Sequence, residues 1–308
     1  MKITQNTPQL NTLLSIAGSD CSGGAGIQND IRTAAEFGWH CLTAVTAITA
    51  QNSNGVKAIA ACHSKMLKAQ LEAISDEFIP KAVKIGIVGS LDNIEVISEY
   101  IKNLPGNVPV VIDPVLSASA GGKLFSTAGK NDISDQDFTK AYIEKLIPYS
   151  SLITPNLSEL NILMPETIGL SPSDAATEFM LKFNKPIFLT GIEEKKGYLT
   201  DYILFRDEFI TTEKIEIISP YTENEKMLQS YNLISNVHEK LNCNNLHGTG
   251  CLLSSIMAMC LGYGMFFHEA LQVTNDEIKK IIIKSRDYKL GKSKYGPLNI
   301  NNYFLGDL

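Results

Sequence analysis

Short apolar, β-branched runs alternate along this chain with longer stretches whose apolar residues recur every three or four positions. The runs at 13–17, 42–48, 82–88, 108–112, 152–154, 187–189 and 198–205 predict strands. The stretches at 25–37, 65–78, 94–102, 136–146, 158–163, 173–183, 251–261 and 269–289 predict helices. Alternation of this kind implies right-handed crossovers and an α/β fold whose sheet is largely parallel and covered on both faces. Runs such as Val108-Pro109-Val110-Val111-Ile112 are apolar without alternation, as strands buried on two sides are. No linker, repeat or low-complexity tract divides the chain, so a single domain over 1–308 is expected. The stretch 211–245 is the least legible and suggests edge strands followed by a polar excursion.

One uncharged segment needs separate treatment. No Asp, Glu, Lys or Arg occurs from Leu241 to Phe267. A membrane span wants ~20 apolar residues, and Ser254, Ser255, Gly262 and Gly264 interrupt this one, so a helix buried in protein is expected instead. With 33 acidic and 27 basic residues the net charge is −6, which argues against a broad nucleic-acid surface. It leaves room for a small anion held by backbone amides. The six cysteines form no Cys-x-x-Cys pair and no secretory leader is visible, so reduced thiols and a cytoplasmic location are expected.

Two glycine-rich turns carry the candidate chemistry. The first, Gly18-Ser19-Asp20-Cys21-Ser22-Gly23-Gly24-Ala25-Gly26, follows the first strand and opens a helix that places Asp30 about one turn in. It has neither the dinucleotide spacing nor the ending of a P-loop. Its glycines would let the backbone approach a ligand and Asp30 point back at it; a plain tight turn with an exposed Asp is the competing reading. The second, His247-Gly248-Thr249-Gly250-Cys251, opens the uncharged helix, so free N–H groups and a thiol would share the helix N-terminal field. That field favours thiolate, making Cys251 a candidate base beside an anion hole. Cys243, His247 and Cys251 would align as metal ligands only on a continuous helix, which Gly248 and Gly250 oppose.

Weaker pieces lie at strand ends. Asp113-Pro114-Val115 puts a carboxylate where open α/β sheets bind ligands. Thr154-Pro155-Asn156 with Glu159 reads either as a helix cap or as part of a Mg²⁺ site beside phosphates. Gln51 and Asn52 offer amides suited to the edge of a heteroaromatic ring.

In this order, the segment 18–30, Thr49-Ala50-Gln51-Asn52, Lys84-Ile85-Gly86, Asp113-Pro114-Val115, Thr154-Pro155-Asn156 with Glu159, and His247 to Cys251 resemble the hydroxymethylpyrimidine/phosphomethylpyrimidine kinases of thiamine biosynthesis, in the ribokinase-like superfamily. The resemblance runs from about Leu13 to Pro297, with Gly291-Lys292 and Gly296-Pro297 near its end, and is poor over 192–243. It implies a ribokinase-like three-layer α/β/α sandwich with a mostly parallel central sheet, and ATP- and Mg²⁺-dependent phosphorylation of the pyrimidine's hydroxymethyl group and then of the monophosphate. It also implies that Gly18, Asp30, Gln51, Gly86, Ile87 and Val115 hold the pyrimidine. Asn156, Thr190, Gly248 and Gly250 would face the nucleotide, and Glu159 and Asp113 the metal. Gly248, Thr249 and Gly250 would form the anion hole with Cys251 as base, and relatives suggest a homodimer. Two departures stand out: Ile87 where the family usually has Met, and Thr190-Gly191-Ile192 where it usually has Lys followed by two glycines. They keep open a pyridoxal kinase, or a non-catalytic pyrimidine-binding homologue.

Overall fold

The computed structural model describes residues 10–52, 55–116, 134–206, 231–286, 288–293 and 295–300. Its strands are β1 Thr12–Asp20, β2 His40–Asn52, β3 Gly55–Ala61, β4 Ala82–Ile85, β5 Val110–Ile112, β6 Leu152–Ile153, β7 Ile187–Lys195, β8 Tyr198–Arg206 and β9 Tyr231–Glu239. Its α-helices are α1 Gly26–Glu36, α2 Ser64–Ser75, α3 Leu91–Lys102, α4 Asp135–Lys145, α5 Leu157–Leu163, α6 Pro172–Phe183, α7 Thr249–Gly262 and α8 Phe267–Ser285. They form one nine-stranded sheet in the order β3-β2-β1-β4-β5-β6-β7-β8-β9. The strands from β2 to β7 in that order run parallel, while β3, β8 and β9 add antiparallel edges.

Three layers follow from side chains that alternate along each strand. Leu14, Val83, Ile112, Ile187 and Leu189 point into a core shared with α2, α3, α4, α5 and α6. Their neighbours Leu13, Ala82, Val111 and Phe188 point into a second core built with α1, α7 and α8. Both faces are therefore apolar, which is why the parallel strands read as unbroken apolar runs. The α7 helix is buried on nearly every side, and no helix among the described residues is long and apolar enough to cross a membrane.

The strand order reverses at β1, whose neighbours are β2 on one side and β4 on the other. Such a switch point opens a crevice beyond the carboxyl ends of the strands. Both glycine turns lie there: one leaves β1, and the other opens α7, which packs along β4 and β5.

The expected helices are all present. One strand, β3, escaped the sequence pattern, whereas the edge strand β9 falls inside the stretch 211–245 where edge strands were expected. In β3 and β9 exposed and half-buried positions follow one another with almost no buried residue, so neither reads as an apolar run. Of the edge-strand stretch expected at 211–245, residues 211–230 lie outside the described ones. The fourth strand ends at Ile85 rather than at 88, because the chain turns away after Gly86.

Gly262, at the end of α7, shows how tightly that helix is seated. A Cβ there would lie 2.8 Å from the Trp39 ring and 3.1 Å from the Lys81 carbonyl. In an exposed helix Gly→Ala gains up to ~1 kcal/mol, but overpacking costs ~1–3 kcal/mol. Gly262→Ala is therefore expected to lower the melting temperature; a rise in calorimetry would show that α7 can shift away from Trp39.

Candidate active site

The deepest polar feature below the crevice is a buried ion pair. Lys84 Nζ, on β4, donates to both carboxylate oxygens of Asp30 at 3.0 Å, and both side chains are fully buried. Ser15 from β1 donates to the same carboxylate at 2.5 Å, and Ser255 from α7 at 2.9 Å. Burial alone would favour the neutral amine of Lys84. The Asp30 charge, with Cys251 and Asp113 beyond it, outweighs burial and holds the ammonium above its usual range. The expectation that Asp30 points back at a ligand is thus corrected: on this face of α1 it meets the Lys84 ammonium, and its acceptor capacity is filled by protein donors.

The first glycine turn is also satisfied internally. Asp20, ending β1, accepts the amides of Ser22 at 2.8 Å, Gly24 at 3.1 Å and Ala25 at 2.8 Å, and the Ser22 hydroxyl at 3.0 Å. Its Oδ2 also lies 3.1 Å from His247 Nε2. Burial would raise this carboxyl, but hydrogen bonds from His247, Ser22 and Gln51 outweigh it and keep Asp20 ionised well below the usual range. The amides that could have met an anion are thereby occupied. The glycines serve the docking of one turn on the other. A Cβ on Gly24 would overlap the His247 ring, and one on Gly248 would overlap the Gly24 carbonyl. Asn29 Nδ2 closes the seam by donating to the carbonyls of Gly24 at 2.9 Å and Gly248 at 3.3 Å.

The second turn keeps a free face. Gly248 caps α7 at φ +95, a left-handed conformation that disfavours any side chain, and no side chain caps the helix. Thr249 donates its amide to the Leu246 carbonyl at 3.2 Å and its hydroxyl to the same oxygen at 2.7 Å. Thr249 therefore shapes the turn, and the helix N-terminus presents the amides of Gly250 and Cys251. Gly250 sits over the end of β5, where a Cβ would stand 3.9 Å from Asp113 Oδ2. Asp113 is buried and accepts from Ser254 at 3.1 Å.

Cys251 is half-buried in the first turn of α7. Burial of its sulfur, with the charges of Asp30 and Asp113, pushes the thiol up to about 12, against the opposing pull of Lys84 and the Gly26 amide. This corrects the expectation of a resting thiolate: a helix end offers a fraction of a charge, less than desolvation and two carboxylates remove.

Glu159 and Asn156 form a reciprocal cap at the start of α5. The Asn156 side chain accepts the Glu159 amide at 3.0 Å, and Glu159 accepts the Asn156 amide at 3.0 Å. The capping reading is realised, and it also holds Glu159 buried toward Asp113. Burial, then the Asp113 charge, lifts the Glu159 carboxyl to about 8. Burial likewise raises Asp113, although Lys84 and Ser254 pull it back. The hard oxygens of these two carboxyl groups suit Mg²⁺, with further ligands from phosphate and water. No cluster of three or more His, Cys, Asp or Glu able to hold a metal occurs among the described residues. Cys243 and His247 precede α7, so the helical metal alignment is absent.

The remaining candidates divide between two sides. Gly18 and Gly86 lie at the ends of β1 and β4, and Ile87 packs against Gly18, whose Cβ would meet its Cδ1 at 3.4 Å. Val115 follows Asp113, to whose carbonyl it donates at 2.8 Å. Gln51 ends β2, where its backbone carbonyl accepts from Cys21 Sγ at 3.2 Å and its side chain bonds Asp20. On the other side Thr190, within β7, bridges Asn156, the residue that caps α5 just beyond β6. Gly291, Lys292 and Pro297 line a cavity of about 300 Å³ with Ser22 and His247, and the His247 amide donates to the Gly296 carbonyl at 3.2 Å. Lys84, Asp20 and Asn29 occur in the quoted motifs without a role, and His247 was weighed only as a metal ligand. The signal for Lys84 was present: a lone charge inside the apolar run Ala82-Val83-Lys84-Ile85.

A nine-stranded, mostly parallel sheet sandwiched by helices is the fold of the ribokinase-like vitamin kinases. The description "Phosphomethylpyrimidine kinase" matches residues 20–299, and the chain belongs to that family. It is 29% identical over 289 residues to the hydroxymethylpyrimidine/phosphomethylpyrimidine kinase of Bacillus subtilis, covering 93% of each. It is 28% identical over 291 residues to a probable thiamine biosynthetic bifunctional enzyme of rice, and spans 47% of that protein's length. Among solved structures, a phosphomethylpyrimidine kinase of Clostridium difficile 630 aligns at TM-score 0.62 and 29% identity, over 88% of this chain and 98% of that one. An ADP complex of Bacillus subtilis pyridoxal kinase aligns at TM-score 0.68 and 25% identity, over 94% and 97%.

Two outcomes follow from the geometry. Asp30→Asn leaves Lys84 uncompensated inside the protein, and breaking a buried pair from one side costs about 3–5 kcal/mol. Urea unfolding is the measurement, and a loss below about 1 kcal/mol would mean that water reaches the ammonium. For Cys251, alkylation followed by mass spectrometry at its own peptide should still be accelerating at pH 10, since the thiol ionises near 12. A plateau near pH 7 would restore the thiolate.

Proposed function

We propose that this protein transfers the γ-phosphoryl group of ATP to the hydroxymethyl group of a 4-amino-5-hydroxymethyl-2-methylpyrimidine, and then to the resulting monophosphate. The observation that carries this reading is the seam between the two turns. Asp20, His247 and Asn29 hold the acceptor side, with Gly18, Gly86 and Ile87, against the uncapped N-terminus of α7. The amides of Gly250 and Cys251 receive the transferring phosphate, and Asn156 and Thr190 face the nucleotide at the neighbouring strand ends. Mg²⁺, held through Asp113 and Glu159, would offset charge on the phosphates. The pyrimidine lies on Gly18, Gly86, Ile87 and Val115, with Gln51 at its ring edge.

In the first transfer the acceptor oxygen bonds to the γ-phosphorus as the bond from that phosphorus to the β,γ-bridging oxygen breaks. ADP leaves, and the hydroxyl proton passes to Cys251 Sγ. Sulfur accepts a proton only as thiolate, whereas burial keeps the resting group protonated. The first transfer should therefore speed up with pH beyond neutrality. The second uses a phosphate oxygen already ionised near neutral pH and should show little of this dependence.

A second reading is a pyridoxal kinase, favoured by the similarity to the Bacillus subtilis structure and by the branched Ile87 beside Gly18. Its substrate is likewise a flat heteroaromatic alcohol. A coupled ADP-release assay with both alcohols, with and without Mg²⁺, separates the two. The expected result is Mg²⁺-dependent turnover with the pyrimidine exceeding that with pyridoxal. Cys251→Ala should cut the first transfer by ~10²–10⁴-fold and the second by much less. Equal losses in both steps would remove the proton-transfer role.

A further inference from the structure

Between β7 and β8 the ladder is interrupted twice, at 190–191 and again at 193–194, and the first interruption is the one beside Asn156. Leu189 pairs with Tyr202 and Ile192 with Thr200, so Thr190 and Gly191 together face one residue, Asp201. Two residues against one is a β-bulge, which bends a strand and re-aims a side chain. Here a carboxylate holds the bulge open: Gly191 donates its amide to Asp201 Oδ1 at 2.7 Å, with φ at +72. Thr190 instead donates its amide to the Pro155 carbonyl at 3.2 Å, which sets it beside Asn156.

Asp201 is 4% exposed, and a buried carboxylate needs more than one donor. The second comes from β9. His238 Nε2 lies 3.0 Å from Asp201 Oδ2. Asp201 pairs with Asn236 across the ladder, so His238 is the diagonal neighbour on the same face. The groups acting on His238 are Asp201, the backbone of Glu239, and Lys279 from α8; the bond to Asp201 comes first and raises its pKa. One carboxylate oxygen thus serves the bulge, and the other is held by the imidazole.

We propose that Asp201, oriented by His238, is a positioning residue for the nucleotide: it fixes the Thr190–Gly191 bulge and so presents Thr190 beside Asn156 at the phosphate side of the crevice. This rests on the reading that Asn156 and Thr190 face ATP. Neither Asp201 nor His238 touches the acceptor side, so their effect falls on the nucleotide alone.

The test is the dissociation constant of a non-hydrolysable ATP analogue, with KM for ATP and KM for the pyrimidine measured alongside. Asp201→Ala should weaken the analogue roughly tenfold or more, the worth of a hydrogen bond to a charged group, and leave KM for the pyrimidine unchanged. Asp201→Asn keeps an acceptor oxygen for Gly191 and should stay within about threefold of wild type, as hydrogen bonds to a neutral partner are weaker but still made. If Asp201→Ala fails to fold, His238→Leu frees the carboxylate without emptying the bulge and should raise the analogue constant by about threefold. Unchanged analogue affinity in a folded Asp201→Ala or His238→Leu variant overturns the proposal, as does an equal rise in both KM values. A wild-type protein that binds the analogue but phosphorylates neither alcohol removes the functional reading, and the analogue series then still decides the role of Asp201.

Discussion

One ammonium buried with no route to water constrains the centre of this molecule. Lys84 keeps its charge there because Asp30 meets it squarely, and Ser15 and Ser255 complete the acceptor set of that carboxylate. Those four residues belong to β4, α1, β1 and α7. A single electrostatic requirement therefore ties together the two strands of the switch point and the two helices that open at it. Hydrophobic burial alone would let such layers slide; a buried pair penalises any offset that separates its members. The chemistry above the pair inherits that precision, since both glycine turns are the first residues of the tied helices.

The layers were legible in the sequence because strands covered on both faces must be apolar at every position, and 108–112 or 187–189 cannot easily be anything else. The edges were less so: β3 went unread and β9 was placed only within a longer stretch, since both bury little and their residues answer to solvent as much as to the core. The glycine turns were legible as turns, while their purpose was half hidden. Sequence shows that Gly24 and Gly248 need space, but the atoms that take it, the His247 ring and the Gly24 carbonyl, lie 223 and 224 residues away along the chain. Asp30 was misread for a related reason: a helical position gives a direction, and only the assembled sheet shows that Lys84 waits there. For Cys251 the local field of the helix end was visible, whereas the opposing carboxylates come from α1 and from the residue after β5.

The pattern of satisfied and unsatisfied groups separates scaffold from site. Around Asp20 the amides of Ser22, Gly24 and Ala25 find their acceptor within the protein, so that turn is a brace. Around Gly250 and Cys251 the amides are uncapped, and nearby Asp113 and Glu159 are held together against their mutual repulsion. Uncapped amides and two carboxyl groups raised by burial therefore share one side of the seam, facing the crevice, as expected where a phosphate and its cation arrive together.

Apart from its close seats at Gly248 and Gly262, little on the surface of the helix that carries the anion turn sets its rotation. It is apolar on all sides and bears no charge, so sliding or spinning it by one residue would exchange one greasy surface for another. Adjacent hydroxyls settle the matter: Ser254 reaches Asp113 and Ser255 reaches Asp30. Successive residues on a helix point about 100° apart, and the two carboxylates stand on different elements, so the pair works as a key with two unequal teeth. A slip by one position would offer each tooth the wrong lock, swing the glycine turn off the crevice, and strand two acids inside the protein.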